Sequence, residues 1–238
     1  MTDKLIRGAL VQYMQTFLLP APNVITFQFN PETMIHNWSQ PEPAPAEQLH
    51  GDPLAVKGMP GESFSFTIAM NADEMIAQGS PVAEGIARTS GIYSRLAALE
   101  MLLYPVSQDG PLDLIGSVSA AATSGSSPLG EGSETGRSVP ELKVPTVLFA
   151  WGPGRIVPVR LTSLEITERL YDRLLNPTYV EARVGLRVLT PEELRANKDK
   201  LADVARVAYV YSQGLRQALA TANLGEAAES ILGMLPTI

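Results

Sequence analysis

The side chains able to do chemistry are few and scattered. The two histidines, His36 and His50, stand alone, with no HExxH or paired-histidine spacing on which a zinc hydrolase could be built. A lone histidine packs or is solvated more often than it ligates. Carboxylates gather at Glu131, Glu134 and Glu141 in a loop-like stretch, and at Glu165, Glu168 and Asp172 where a strand pattern ends. A glycosidase pair needs two carboxylates about 5–9 Å apart across a cleft; a solvated loop and a strand end are poor places for one. Gly152-Pro153-Gly154 lacks the lysine and spacing of a phosphate loop and joins strands instead of opening a helix, so it reads as a tight turn. No Gly-x-Ser-x-Gly elbow surrounds Ser124 to Ser127. The chain has no cysteine, which excludes disulfides, thiolate catalysis and Cys-type zinc sites. No catalytic, cofactor-binding or metal-binding residue can be named, and the expectation is a protein that is not an enzyme.

What remains is a set of residues suited to contact. Arg155 and Arg160 flank an apolar strand, where exposed salt bridges worth under about 1 kcal/mol are the default. Trp38 and Trp151 are the only tryptophans, and each is either core or an interface anchor. Tyr211 and Leu215 lie on the apolar stripe of a C-terminal helix. Trp38, Trp151, Arg155, Arg160, Tyr211 and Leu215 are therefore the candidate interface residues.

Composition narrows the class. The chain has 238 residues, 45% of them hydrophobic, enough for one sizeable core with or without an appended arm. A net charge of -7 without basic clusters argues against nucleic-acid binding. Lys4 and Arg7 precede an apolar run that Gln12, Gln15 and Pro20 interrupt, a poor signal peptide. No stretch approaches the roughly 20 apolar residues of a membrane span. The expectation is synthesis in the cytoplasm without membrane insertion.

The elements that must position these residues follow from periodicity. Residues 4–18 read as a strand. Ile25, Phe27 and Phe29 alternate with polar neighbours and should share one sheet face, up to a stop at Asn30-Pro31. Met34, His36 and Trp38 suggest a short strand. Pro41, Pro43, Pro45, Pro53 and Pro60 make residues 40–61 an extended surface loop. Phe64, Phe66, Ile68 and Met70 give the cleanest strand of the first half. Ser80-Pro81 opens a helix whose stripe is Ile92, Leu96, Leu99 and Leu103, ending near Pro105. Residues 116–140 have too little apolar surface to offset their ordering and read as a mobile loop.

In the second half, Thr146 to Ala150 form a strand, Trp151 to Gly154 a turn, and Val157, Val159 and Leu161 the return. The apolar phase then slips by one residue to Leu164 and Ile166, which predicts a β-bulge near Thr162-Ser163. Val180 to Val188 alternate as a long strand with one wet face. Thr190-Pro191-Glu192-Glu193 is a capping box that starts a helix. A further stripe runs through Leu201, Val204, Ala208, Tyr211, Leu215 and Ala218, and either covers its own barrel or docks on a neighbour. Gly225 to Ile238 form a short amphipathic helix or a partly ordered tail. The fold class is mainly β (α+β): an antiparallel barrel or sandwich over residues 1–190 with one inserted helix, and a helical extension over 191–238.

Two phrases carry a resemblance: Ile25-Thr26-Phe27-Gln28-Phe29-Asn30-Pro31-Glu32-Thr33, and Pro145 to Thr167 with Val147-Leu148-Phe149-Ala150-Trp151-Gly152-Pro153 at its front. With Leu174-Leu175-Asn176-Pro177 and Val184 to Leu189 behind them, the ordered set resembles the tube-protein family of contractile injection systems over roughly residues 5–190. The resemblance implies a phage-tail-tube-like β-barrel with a flanking helix, assembled as a sixfold ring. Among longer members it implies a baseplate tube initiator or adaptor that joins spike hub to inner tube, with tube, spike-hub and baseplate or sheath proteins as partners inside an injection particle. A LysM module found in some members has no counterpart after residue 190. The competing readings are a tube-end adaptor elsewhere in the particle and a monomeric ligand-binding β-barrel.

Overall fold

A computed structural model describes residues 6–15, 20–41, 56, 58–78, 81–104, 144–196 and 202–234. The expected loops at 40–61 and 116–140 lie largely or wholly outside them. The described chain builds β1 (Ala9–Gln15), β2 (Pro20–Thr26), β3 (Met34–Ser39) and β4 (Gly61–Asn71), then α1 (Ala72–Gln78), α2 (Pro81–Ser90) and α3 (Tyr93–Glu100). It continues with β5 (Val147–Ala150), β6 (Ile156–Tyr171), β7 (Pro177–Val188), α4 (Pro191–Ala196) and α5 (Ala202–Met234). The seven described strands form one antiparallel sheet in the order β2-β1-β5-β6-β7-β4-β3. Among the described residues its ladder is open, with β2 and β3 at the edges.

The sheet is rolled. Its two edge strands are consecutive in sequence, with only residues 27–33 between them. A flat seven-strand sheet would hold its edges roughly 29 Å apart at ~4.8 Å per gap, close to the full reach of so short a link. The link is not stretched: Phe27 N–H donates to Gly8 O at 2.8 Å, and the Gln28 side chain bonds both backbone groups of Asn71 at the end of β4. Strand curl brings rings from distant strands together. Phe149 on β5 lies 5.5 Å from Phe66 and 5.4 Å from Phe64, both on β4, and Phe27 lies 5.5 Å from Phe66.

This ring cluster fills the concave side, with Leu10, Val157, Val159, Val180, Val184 and Leu186 around it. Ile92, Leu96, Leu99 and Leu102 from the helical insert join the same core. The convex side carries a smaller core, where Ala205 and Ala208 of α5 and Leu194 of α4 meet Leu148, Val11 and Ile156. No helix among the described residues is long and apolar enough to cross a membrane.

The period-two strands stand as expected. Phe64, Phe66, Ile68 and Met70 are all buried, and so are Val180, Ala182, Val184, Leu186 and Val188. The bulge is there too: pairing with β7 slips between Leu161 and Ser163, and Ser163 sits over Gly185, where a Cβ would run into its Oγ. The capping box forms, with Glu193 N–H donating to Thr190 Oγ1 at 3.4 Å and Thr190 N–H donating to Glu193 Oε2 at 2.9 Å.

Four expectations need correction. First, the strand through Ile25 ends at Thr26, so Phe29 is exposed and Gln28 is buried; the chain turns to cross from one edge to the other, which breaks the alternation. Second, the single inserted helix is three. Gly91, at φ +56°, breaks it where its backbone packs against Pro177, and Ile92 N–H donates to Pro177 O. Third, Leu102 is buried in place of Leu103, because the chain leaves the helix after Glu100. Fourth, the C-terminal segment is not a separate short helix: α5 is continuous for 33 residues to Met234. Its packed face is Ala202, Ala205, Ala208, Tyr209 and Ser212, while Val204, Val207 and Val210 face solvent. Small side chains let the helix backbone approach the sheet, and that close approach outweighs the greater hydrophobicity of valine.

Candidate functional site

Polar and aromatic groups converge where α5 crosses the β3–β4 edge and the β5–β6 turn. In β3, residues Met34, His36 and Trp38 pair with Phe66, Phe64 and Glu62 of β4, so all six side chains share one face. Phe66 and Phe64 continue into the core. Glu62, two residues further on, places a carboxylate on the same apolar face, where its side chain is only 3% exposed.

A buried carboxylate needs partners, and Glu62 has two. Arg216 of α5 donates from Nη1 to Glu62 Oε2 at 3.0 Å and from Nη2 to Oε1, a bidentate pair. His36 Nε2 lies 2.8 Å from Oε1. A carboxylate can only accept, so Nε2 is the protonated ring nitrogen. The imidazole is fixed from the other side by stacking on Phe64, with centroids 4.3 Å apart. The Arg216 guanidinium also lies 4.7 Å over the Trp38 ring. With both Glu62 oxygens and the Arg216 fork engaged, the cluster works as a clamp that ties α5 to the β3 edge.

A second attachment lies one turn earlier on α5. Ser212 Oγ accepts from Ile156 N–H at 3.2 Å and donates to Ile156 O at 2.8 Å. Tyr211 Oη donates to Pro153 O at 3.0 Å, and Leu215 packs over Gly154. The β5–β6 turn is thus held by two successive turns of the helix.

Five of the six sequence-derived interface candidates fall in this region. Trp38 is 47% exposed on the edge strand, so it is not core. Trp151 is half-buried against Phe27 and Phe149, so it packs inward. Arg155 lies 5.3 Å over Phe64, with Nη1 3.7 Å from Met34 Sδ, so its contact is with an aromatic face. Tyr211 and Leu215 grip the turn. Arg160 stands apart on the outer face, exposed and directly across from Arg187. Arg187 is held in turn by Glu193.

Glu62, Arg216 and the role of His36 were missed by sequence reasoning. Glu62 and Arg216 are 154 residues apart, and each reads alone as a surface charge. The one available signal was that Glu62 falls in phase with Phe64 and Phe66, which assigns a carboxylate to a buried face.

A second exposed feature is the β6–β7 turn. Asp172 Oδ1 accepts from Leu174 N–H at 2.7 Å and Asn176 N–H at 2.9 Å, and Oδ2 accepts from Asn176 Nδ2 at 2.8 Å. This network holds Leu174 and Leu175 in solvent at 77% and 74% exposure, with Leu175 at φ +62°. A leucine in the left-handed region is unusual and strained.

No protein-family model matches this chain, and no curated protein matches it in sequence.

Proposed function

We propose that this chain is a structural subunit of a contractile injection system baseplate, a tube initiator or adaptor that joins a spike hub to the inner tube as a hexameric ring. The observation that carries this reading is the rolled antiparallel sheet with two unlike open edges. Edge strand β3, Met-Ile-His-Asn-Trp-Ser, has no proline, lysine or acidic residue to block a neighbour, whereas β2 carries Pro20 and Pro22. Among the described residues the far side of β6 beyond Val159 has no strand beside it and offers a second edge inside the sheet, because β5 pairs only with Ile156–Val159 of its 16 residues. Two different edges per subunit are what a head-to-tail contact needs, and such contacts close into a ring when the rotation divides a circle. Closure of the rolled sheet into a tube-like barrel belongs to the same proposal.

The wet face of the β4, β6 and β7 strands, with Ser63, Ser65, Thr67, Arg183, Glu165 and Thr167, suits the wall of a passage. The concave side is filled by aromatic rings, which favours an assembly part over a ligand-binding barrel. Ring partners are copies of this chain; axial partners are tube, spike-hub and baseplate or sheath proteins. The test is an edge block: Ile35→Lys, on the exposed side of β3, should leave the fold intact by circular dichroism and abolish rings in light scattering. Rings that persist in that variant would remove β3 from the contact.

A further inference from the structure

Arg160 is the one interface candidate that the α5 clamp and the β5–β6 turn do not absorb. It lies directly across from Arg187 in the β6–β7 ladder, on the same convex face as Ile156. Like charges opposite one another on a sheet repel, so the pair costs the free fold stability. Glu193 binds Nη2 of Arg187. Among the described residues Arg160 has no ion-pair partner, and the buried Nε of Arg187 has no hydrogen-bond acceptor. Along β7 the next residue on this face is Gly185, and the one after it is Arg183. The bulge brings two hydroxyls over the glycine: Ser163 Oγ sits where a Cβ would stand, and Thr162 Oγ1 is 3.2 Å from that point. Arg160, Arg183, Thr162 and Ser163 are all exposed. With Glu165, which faces Arg183, and Glu193, the patch sets three arginines against two carboxylates, in a chain of net charge -7.

We propose that this arginine and hydroxyl patch is a docking surface for an acidic segment of a protein partner, with one partner carboxylate seated over the Arg160–Arg187 pair. Charge selects the occupant. A carboxylate placed over two guanidinium groups turns their repulsion into attraction, and arginine offers the planar fork that engages both of its oxygens. The hydroxyls of Thr162 and Ser163, one row along, can donate to a second acceptor on the same segment. Arg183 follows Arg187 on the same face at about 13 Å, the span of four strand residues. An extended segment with acidic residues four apart therefore meets both ends of the patch. The exposed side chains do not enclose a ligand as a small-molecule site does. A nucleic acid needs a run of phosphate contacts, and the negative charge of the chain opposes it. Exposed charges of this kind give orientation and specificity more than raw affinity, so binding at the single patch is weak and salt-dependent. The patch is built by the sheet alone and stands whether or not copies of the chain form a ring.

The test titrates the full chain with a capped hexaglutamate peptide, with hexalysine and inorganic phosphate at matched ionic strength beside it. The Nε–H of Arg187 is shielded from water, so its side-chain NMR resonance reports on the pair. Hexaglutamate should shift that resonance saturably, and added salt should weaken the effect; hexalysine should not shift it. Arg160→Gln should weaken binding about tenfold or more, and Arg160→Lys by less. Arg173→Gln makes the same charge change on the exposed β6–β7 turn and should leave binding as it is. In the peptide-free chain Arg160→Gln should raise the urea midpoint, because it removes a repulsion. A fall in midpoint would assign Arg160 to the fold and overturn the proposal. So would equal binding by wild type and Arg160→Gln, or an equal loss in Arg173→Gln. Phosphate that binds as tightly as hexaglutamate would mean a free oxyanion in place of an acidic segment, and would overturn it too.

Discussion

Phe149 of β5 stacks on Phe66 of β4 with ring centroids 5.5 Å apart, although β6 and β7 lie between their strands in the sheet. Only a strongly rolled sheet allows this, so the pair reports on the curl directly. Phe149→Ala should cost about 3–5 kcal/mol, the usual range for emptying a buried aromatic site. Urea denaturation would show it as a fall in midpoint with the slope unchanged. A cost under about 1 kcal/mol would mean that the rings do not hold the roll together.

Gln28 crosses from one sheet edge to the other and meets both backbone groups of Asn71, at 2.9 and 2.8 Å. Its buried amide stands in for a strand residue at the end of β4. Gln28→Ala leaves those two groups without their partner, at about 1–3 kcal/mol. Hydrogen exchange at the Asn71 amide should accelerate well before that in β7. Unchanged protection there would show that the bridge is dispensable.

Arg216 is the last residue of α5 with a described hold on the sheet. Arg216→Ala strips a buried carboxylate of its main partner and should cost about 3–5 kcal/mol. Arg216→Lys keeps the charge but loses the bidentate fork, so it should rescue only part of this. Thermal unfolding gives the ranking, and exchange along residues 213–225 tells whether the helix lifts. Equal stability of the Ala and Lys variants would reduce the clamp to side-chain packing.

These cases also mark how far the sequence could be read. The β4 and β7 strands, the bulge at Ser163 and the Thr190–Glu193 box are local patterns, set by neighbours in the chain, and each is visible in sequence. The Glu62–Arg216 clamp joins residues far apart, and no local pattern announces it. The packed side of α5 was misjudged because hydrophobicity favours the valines, while close packing on the sheet favours alanine. The helix break at Gly91 depends on contact with Pro177, a tertiary fact. Phe29 looked like the third member of an alternation that stops two residues earlier because the chain must turn to reach the opposite edge.

Asp172 gives the pH dependence of the β6–β7 turn. Hydrogen bonds from the Asn176 side chain, then the Asn176 backbone, hold its carboxyl below the ordinary range; desolvation opposes them and Leu174 N–H adds to them. A depressed folded value means that the contribution is full above the ordinary aspartate pKa and is lost as pH falls through the lower folded one. The turn should therefore hold through mildly acidic pH and loosen only in strong acid, read as amide exchange at Leu174 and Asn176 corrected for intrinsic rate. Asp172→Asn should loosen it at neutral pH and remove the acid transition. Loosening of the wild-type turn near pH 6 would contradict this.

The most direct test of the central claim is negative-stain electron microscopy of the purified chain over a range of concentrations, alone and mixed with tube and spike-hub proteins. The account predicts closed rings of uniform diameter with sixfold symmetry, which stack on tube or hub when these are present. Isolated monomers under all of these conditions, together with saturable binding of a small molecule, would contradict it.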